Sequence, residues 1–263
     1  MAYGRNTSRI MMGSTRTLTT RCEYCGKELP TKNFALPGHR PMLITMPCEC
    51  PESKASRDAE EAKREREERL RAFSDVWTRS GVPKMYQHVK AGKVDFERAD
   101  RLISGRSLYF VGKNGRGKTH SACQAAKAYL IRKTYRDNAV MRCWKSLRFV
   151  TAQAMFSQLK TSWDRWDQNE DDVFQRLLGV SLLILDDLGQ GVPGEWSAAN
   201  VLRLVDERGT AGKPLAITSQ YTIEELAERY EKAGDGTMSA MMSRLDGWCD
   251  VIAIDGPDRR RNS

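Results

Sequence analysis

The most informative segment of the chain reads Gly112-Lys113-Asn114-Gly115-Arg116-Gly117-Lys118-Thr119. It fits the pattern G-x-x-x-x-G-K-[ST], it follows a short apolar run, and a helical pattern begins where it ends. The glycines let successive backbone N–H groups turn toward a phosphate chain, and the helix N-terminus adds the positive end of its dipole. Lys118 is expected to reach the outer phosphates and Thr119 to bind Mg²⁺. The segment therefore predicts a nucleoside triphosphate site.

Short apolar runs alternate with helical patterns from residue 107 onward. The runs lie at residues 107–111, 147–151, 182–185, 214–218 and 250–254. Between the first two, apolar residues recur at helical spacing, at Ala122, Ala125, Ala126, Tyr129 and Leu130. This alternation is typical of βαβ units. We therefore expect an α/β fold in which helices cover both faces of a five-stranded parallel sheet.

Polar residues follow two of these runs. Asp186 is expected at the carboxyl edge of the sheet, where α/β proteins place their ligands, as the carboxylate that completes the Mg²⁺ site. Asp187 would lie beside it, either to orient or deprotonate an attacking water or as a helix or turn cap. Thr218-Ser219-Gln220 ends the fourth run. There a polar side chain could sense the outer phosphate, or the segment is a plain strand end.

Composition and charge exclude several classes of protein. The 263 residues include 43 Lys and Arg against 34 Asp and Glu, which gives a formal net charge of +9. No apolar run approaches the ~18 residues that span a membrane, and the composition excludes membrane and fully disordered proteins. Seven cysteines are too few for a disulfide scaffold, so we expect a reducing compartment, the cytoplasm. The basic balance is compatible with nucleic acid as a partner but does not locate it.

Four of the seven cysteines lie in one turn-rich segment, as Cys22-x2-Cys25 and Cys48-x-Cys50. Two close thiol pairs beside glycine and proline suit a tetrahedral Zn²⁺ site, and His39 could replace one cysteine as a ligand. Free thiols or a redox pair are the alternatives. Without a metal, so short a segment could hardly bury a core of its own. We therefore predict a zinc-binding domain over residues 22–51.

The segments on either side of these cysteines differ sharply in composition. Residues 1–21 carry arginines and no acidic residue, which favours a basic disordered arm over an organellar transit peptide. Residues 52–71 mix acidic and basic side chains in equal number, as solvated helices do, and we assign 52–74 as a charged helical linker. The nucleotide-binding domain would then comprise residues 75–263.

Basic and aromatic residues interleave over residues 127–148, a pattern that can hold single-stranded nucleic acid without reading its sequence. The members are Lys127, Tyr129, Arg132, Lys133, Tyr135, Arg136, Arg142, Trp144, Lys145 and Arg148. A solvated basic rim is the equal alternative. Trp163 and Trp166 lie among several acidic residues, which weakens the same interpretation there.

Five short motifs, none of them specific alone except the first, form a recognisable set. They are Gly117-Lys118-Thr119-His120, Leu183-Ile184-Leu185-Asp186-Asp187-Leu188-Gly189, Lys213-Pro214 before Thr218-Ser219, Ser243-Arg244-Leu245, and Gly256-Pro257-Asp258-Arg259-Arg260. The set resembles the replicative helicase loaders of the DnaC/DnaI type and the related IstB transposition ATPases, within the AAA+ class. Cys22, Cys25 and His39 also resemble the zinc-binding, helicase-binding domain of DnaI-type loaders, which leaves the fourth ligand open among Cys48, Cys50 and His39.

The resemblance implies an AAA+ core that binds and hydrolyses ATP, with the two aspartates as Walker B ligand and catalytic acid. It further implies Ser219 or Gln220 as sensor 1, Arg244 as an arginine finger acting in trans, and Arg260 as sensor 2. Contacts to the nucleotide are expected from Gly112, Asn114, Gly115, Arg116, Gly117, Lys118, Thr119, His120, Asp186 and Arg260. The sequence stops shortly after the fifth strand, so we expect no C-terminal helical lid, as in loaders of this family.

Together these features predict an ATP-dependent loader of a bacterial or phage replicative helicase hexamer onto single-stranded DNA. Subunits would associate as Arg244 reaches a neighbour's ATP, the zinc-binding domain would hold the helicase, and hydrolysis would act as a release switch. Two alternatives remain. One is an IstB-like ATPase that assists a transposase, and the other is a zinc-dependent DNA-binding adaptor whose nucleotide site never turns over. No membrane partner is expected.

Overall fold

The computed structural model describes residues 20–35, 40–136, 147–161, 170–190, 194–231 and 237–258. The chain divides into two compact units, with the boundary between Arg66 and Glu67. Within the described ranges, no helix is both long enough and apolar enough to cross a membrane. The predicted arm at residues 1–21 lies almost wholly outside the described residues, and the predicted domain limits remain predictions.

The smaller unit contains a short antiparallel hairpin. Its strands are β1, Thr31–Phe34, and β2, Met42–Thr45, and Thr31 lies opposite Thr45. Every residue of both strands is exposed. Helix α1, Pro51–Arg79, begins in this unit and crosses the boundary. Because the hairpin buries no face, hydrophobic burial by its strands cannot be what stabilises this unit.

The larger unit alternates strands and helices in the order that the apolar runs predict. After α1 and a 3₁₀ turn at Lys84–Tyr86, the elements are α2 Lys93–Ile103, β3 Ser107–Val111, α3 Lys118–Arg136, β4 Leu147–Thr151, α4 Ala152–Thr161, α5 Glu170–Leu178, β5 Leu182–Leu188, α6 Glu195–Thr210, β6 Leu215–Ser219, α7 Ile223–Glu231, α8 Thr237–Trp248 and β7 Cys249–Ala253.

These strands form one parallel sheet in the order β4-β5-β6-β3-β7. The predicted five-stranded parallel sheet is therefore confirmed. The predicted bounds of β3 and β4 agree with the structure. Strand β6 begins and ends one residue later than expected, its start excluding Pro214, which has no N–H to donate to the ladder, and β7 begins and ends one residue earlier than expected. Strand β5 runs three residues beyond its apolar core, past both aspartates to the buried Leu188.

Helices cover both faces of this sheet. On one face α2, α3 and the end of α1 enclose a cluster that includes Trp77, Leu102 and Phe110. On the other, α4 to α8 enclose a cluster that includes Phe174 and Leu204. The predicted apolar stripe of α3 is buried, because its five members are between 0% and 3% exposed. Two apolar layers thus fix the carboxyl edge of the sheet, where the polar residues of interest lie.

Candidate functional site

The loop between β3 and α3 adopts conformations that only glycine takes without strain. Gly115 and Gly117 have φ angles of 78° and 94°. At Gly112, a Cβ atom would lie 2.4 Å from the carbonyl oxygen of Ile254. The segment after β7 therefore packs directly against this loop, and the Arg116 guanidinium donates a hydrogen bond to the Gly256 carbonyl.

A cavity of about 410 Å³ opens between this loop and the carboxyl edge of the sheet. It is lined by Met85, Tyr86, Asn114, Gly115, Gly117, Lys118, Thr119, His120, Asp186, Asp187 and Gln190. The structure thus brings eight of the residues proposed from sequence around one cavity. Its volume is in the range of small-molecule and cofactor sites.

Asp186 lies at the centre of the polar side of the cavity and is 5% exposed. The Thr119 hydroxyl donates to its Oδ1 at 2.8 Å, and the Thr218 hydroxyl donates to the same oxygen at 2.7 Å. Burial raises the pKa of the Asp186 carboxyl, although both hydroxyls and the Lys118 charge oppose that change. A hydroxyl and a carboxylate in contact at a phosphate-binding loop are the donor set that suits Mg²⁺.

Asp187 has an unusual backbone. Its φ angle of 55° is the only positive one at a non-glycine residue in the described ranges. The pairing of β5 with β6 shifts between Leu185 and Leu188, so an extra residue is accommodated there. The Asp187 N–H donates to the Thr218 hydroxyl oxygen at 2.9 Å. Asp187, at this bulge, lines the cavity.

Ser219 and Arg244 both bond to groups outside the cavity lining. The Ser219 hydroxyl is fully buried and donates to the Leu188 carbonyl at 2.7 Å. The Arg244 Nε lies 2.6 Å from Asp206 Oδ1, on the exposed side of α8. The proposed sensor role of Ser219 or Gln220 and the trans role of Arg244 remain predictions. Arg260 lies outside the described residues.

Three residues that line the cavity were not predicted from the sequence. Met85 and Tyr86 belong to the 3₁₀ turn, and the Tyr86 ring meets His120 edge-on at 6.4 Å between ring centres. No spacing rule connects this turn with a loop about thirty residues later. Gln190 follows the bulge of β5, and only the position of Gly189 beside the two aspartates hinted at a turn there.

The four predicted cysteine ligands come together in the smaller unit. Their sulfur atoms all lie within 4.8 Å of one another. Cys22 Sγ is 3.8 Å from Cys50 Sγ, and Cys25 Sγ is 3.5 Å from Cys48 Sγ. Tetrahedral Zn–S bonds of about 2.3 Å require sulfurs about 3.8 Å apart, so the cluster fits Zn²⁺.

Within this cluster, neighbouring backbone groups favour the thiolate form of Cys22, whereas burial and the neighbouring thiols raise the pKa of Cys48 and raise that of Cys50 to about 12. Hydrogen bonds from the backbone at Cys25 and Tyr24 lower the pKa of the Cys22 thiol to about 6. The Ser53 N–H donates to Cys50 Sγ at 3.4 Å. Such bonds support metal-bound thiolates in the same way. His39, the proposed substitute ligand, lies outside the described residues.

Several members of the basic and aromatic segment at 127–148 have other contacts. Tyr129 is 3% exposed, so its proposed role as an exposed stacking surface is wrong. Lys127 Nζ donates to the Val89 carbonyl at 2.7 Å, and Arg132 pairs with Asp100 at 3.5 Å. Residues 137–146 lie outside the described ranges, so the rest of this prediction is untested.

Comparison with known proteins gives relatives in DNA replication. The replicative helicase loader DnaC of Escherichia coli K12 is 23% identical over 178 residues, which cover 62% of this chain and 68% of that protein. A crystal structure of the DnaC helicase loader superposes with a TM-score of 0.50 at 20% identity, covering 66% of this chain and all of that one.

A second solved structure, the replication initiator DnaA bound to AMPPCP and single-stranded DNA, has a TM-score of 0.50 at 17% identity, over 69% of this chain and 53% of that one. These likenesses establish the AAA+ fold that the motifs predicted. The family described as IstB-like ATP binding protein matches residues 102–263, more than half of the chain. The chain therefore belongs to the family of IstB-like ATP-binding proteins.

Proposed function

We propose that this protein is an ATP-dependent loader of a hexameric replicative helicase onto single-stranded DNA. The observation that carries the proposal is the contact of Thr119 with Asp186 at the phosphate-binding loop, which joins both halves of a magnesium–nucleotide site. The similarity to a replicative helicase loader supports the biological role. The clustered cysteines add a second module of the kind expected for a partner protein.

Different residues of the chain would bind the phosphates, hold the metal and position the attacking water. Lys118 and the backbone N–H groups of the loop bind the phosphates, while Thr119 and Asp186 hold Mg²⁺. The metal supplies charge neutralisation of the phosphate oxygens. Asp187, which lines the cavity, would orient water or accept its proton at its carboxylate. Arg244 acts on the ATP of a neighbouring subunit, as an exposed arginine can.

The proposed division of labour along the chain follows the predicted domains. The zinc-binding domain at residues 22–51 holds the helicase, the linker at 52–74 connects it, and the core at 75–263 binds ATP and meets DNA. ATP binding and hydrolysis switch these associations on and off. Thiolate zinc ligands need a reducing compartment, so we expect the protein in the cytoplasm.

A second candidate function is supported by the family itself, whose description is IstB-like. In that case the same core would assist a transposase, and the cysteine module would contact that enzyme. A third, a DNA-binding adaptor that never turns over ATP, would have no use for a strained backbone at Asp187. The partner that co-purifies distinguishes the first two, and an ATPase rate excludes the third.

The test is recovery of the tagged chain from its own cells with ATP and Mg²⁺, followed by native mass spectrometry. We expect a helicase hexamer with several zinc-bearing copies of this chain. Lys118→Ala should abolish the nucleotide signal and lower the ATPase rate roughly 100-fold. The exposed Lys93, mutated to Ala, is the matched control. A transposase in place of the helicase, or a Lys118→Ala chain that loads helicase normally, would refute the proposal.

A further inference from the structure

Thr218 lies where β6 meets the bulge of β5. On the two sides of the bulge, Leu185 pairs with Ile217 and Leu188 pairs with Ser219. Two consecutive aspartates of β5 are therefore opposite the single residue Thr218. Its side chain is completely buried, so its hydroxyl must be satisfied by neighbours in the fold.

We propose that Thr218 is a positioning residue that links the magnesium-binding carboxylate to the carboxylate that handles water. Its hydroxyl donates to Asp186 Oδ1 at 2.7 Å and accepts the Asp187 N–H at 2.9 Å. A hydroxyl has one proton, so donating to Asp186 leaves an oxygen lone pair to accept from Asp187. The inference rests on the roles that the proposed function gives to the two aspartates.

On the Asp186 side, the hydroxyl fixes which oxygen is left for a cation. Thr119 and Thr218 both donate to Oδ1. Oδ2 makes no hydrogen bond within the described ranges, and Asp186 borders the cavity. Two donors on one oxygen hold the carboxylate plane in a single orientation. The other oxygen is thereby presented to the metal without the need to reorganise.

On the Asp187 side, the hydroxyl holds a strained backbone. A φ of 55° is disfavoured for a residue with a Cβ, so a local contact has to maintain it. The hydrogen bond from the Asp187 N–H to Thr218 is such a contact. In this conformation Asp187 lines the cavity. Loss of the hydroxyl should therefore disturb both carboxylates at once.

Two substitutions of Thr218, by valine and by serine, distinguish the effect of the hydroxyl from the effect of side-chain volume. Thr218→Val keeps the volume and removes both hydrogen bonds, whereas Thr218→Ser keeps both. Thr134→Val is the matched control, because Thr134 is also buried and, among the described residues, its hydroxyl bonds only to the Leu130 carbonyl of its own helix. Comparing the melting temperatures of the three variants corrects for general loss of stability.

The experiment measures binding of a fluorescent ATP analogue with and without Mg²⁺, together with kcat and KM for ATP. For Thr218→Val we expect unchanged affinity without Mg²⁺, about tenfold more Mg²⁺ at half-saturation, and a kcat lowered about 10- to 100-fold with little change in KM. Thr218→Ser should restore both quantities to near the wild-type values. Thr134→Val should resemble wild type in both.

Three results would overturn the proposal. They are an unchanged Mg²⁺ requirement in Thr218→Val, an equal defect in Thr218→Ser, and a loss of nucleotide affinity that tracks the melting temperature even without Mg²⁺. If the wild-type chain binds nucleotide without hydrolysing it, the proposed ATPase cycle fails. The Mg²⁺ dependence of binding would still decide the role of Thr218 in that case.

Discussion

Leu183 on β5 and Leu43 on β2 are the same residue type in the same kind of element, yet they are 0% and 66% exposed. The first belongs to a sheet enclosed by helices on both faces. The second belongs to a hairpin with no buried residue. One chain thus contains a unit stabilised by apolar burial and a unit in which burial contributes little.

This contrast indicates where the stability of the smaller unit originates. A segment of this size buries too little surface to offset the entropy of ordering its chain. Cys22 is buried at 7% exposure, and its sulfur belongs to the four-cysteine cluster. We infer that a metal cross-link stabilises the smaller unit, as apolar burial stabilises the sheet.

Removing one cysteine ligand of the proposed zinc site should cause the largest change in stability. In Cys25→Ser we expect zinc to be lost and β1 and β2 to unfold, because a structural zinc ion contributes about 10 kcal/mol or more to folding. The larger unit should keep its melting temperature. Zinc content and amide hydrogen exchange over residues 20–50 and 107–111 measure the two effects separately.

Cys123→Ala provides the control for that experiment, because Cys123 is buried against the sheet and lies outside the cluster. It should retain zinc and lower the stability of the larger unit instead. If Cys25→Ser kept its zinc, or if its hairpin remained protected from exchange without zinc, the metal account of the smaller unit would be wrong.

The next largest change in stability is expected from one of two matched leucine-to-alanine substitutions. Leu183→Ala should destabilise the larger unit by about 2–5 kcal/mol, because it leaves a cavity in the packed sheet. Leu43→Ala should change the stability of the smaller unit by no more than about 0.5 kcal/mol, as exposed substitutions do. All six tryptophans lie between residues 77 and 248, so urea unfolding followed by tryptophan fluorescence reports on the larger unit.

For Leu43→Ala, the concentration of chelator that removes half of the zinc measures the stability of the smaller unit. If Leu183→Ala and Leu43→Ala destabilised their own units equally, the two units would not differ in how much apolar burial stabilises them. A large effect at Leu43 would mean that the hairpin packs against a surface in solution.

The sequence predicted the features that depend on local pattern. The phosphate-binding loop, the apolar runs of β3 and β4 and the spacing of the cysteine pairs each lie within a few residues, and each corresponds to the structure. A buried parallel strand has a recognisable composition whatever its partner. That is why the fold class followed from one chain.

The features that escaped prediction depend on register between distant segments. Thr218 bonds to both aspartates only because β6 pairs with β5 across a bulge, and no local pattern encodes a bulge. Ser219 and Gln220 were the sensor candidates, and the Ser219 hydroxyl bonds to the Leu188 carbonyl. Residues at a strand end alternate between faces, so an offset of one residue decides which hydroxyl meets the site.

The smallest expected effect concerns the cost of a buried charge in the larger unit. Burial raises the pKa of the Asp186 carboxyl above its ordinary value of 3.8, so the fold disfavours the ionised form. Asp186→Asn keeps an oxygen that can accept from Thr119 and Thr218 and removes the charge. We therefore expect the variant to bind Mg²⁺ poorly and to be more stable than wild type at pH 8, by about 1 kcal/mol.

The sign of the pH dependence distinguishes this explanation from improved packing. A carboxyl with a raised folded-state pKa destabilises the fold once it is ionised, so the advantage of Asp186→Asn should shrink as the pH falls through that raised pKa toward 3.8. Urea unfolding at pH 8 and pH 4, followed by tryptophan fluorescence, measures it. The comparison in the smaller unit is Glu49→Gln, which also removes one carboxylate charge but at a side chain that is 83% exposed. It should change the free energy of unfolding of that unit by no more than about 0.5 kcal/mol. An advantage of Asp186→Asn that persists at pH 4 would show that the buried charge is not its cause.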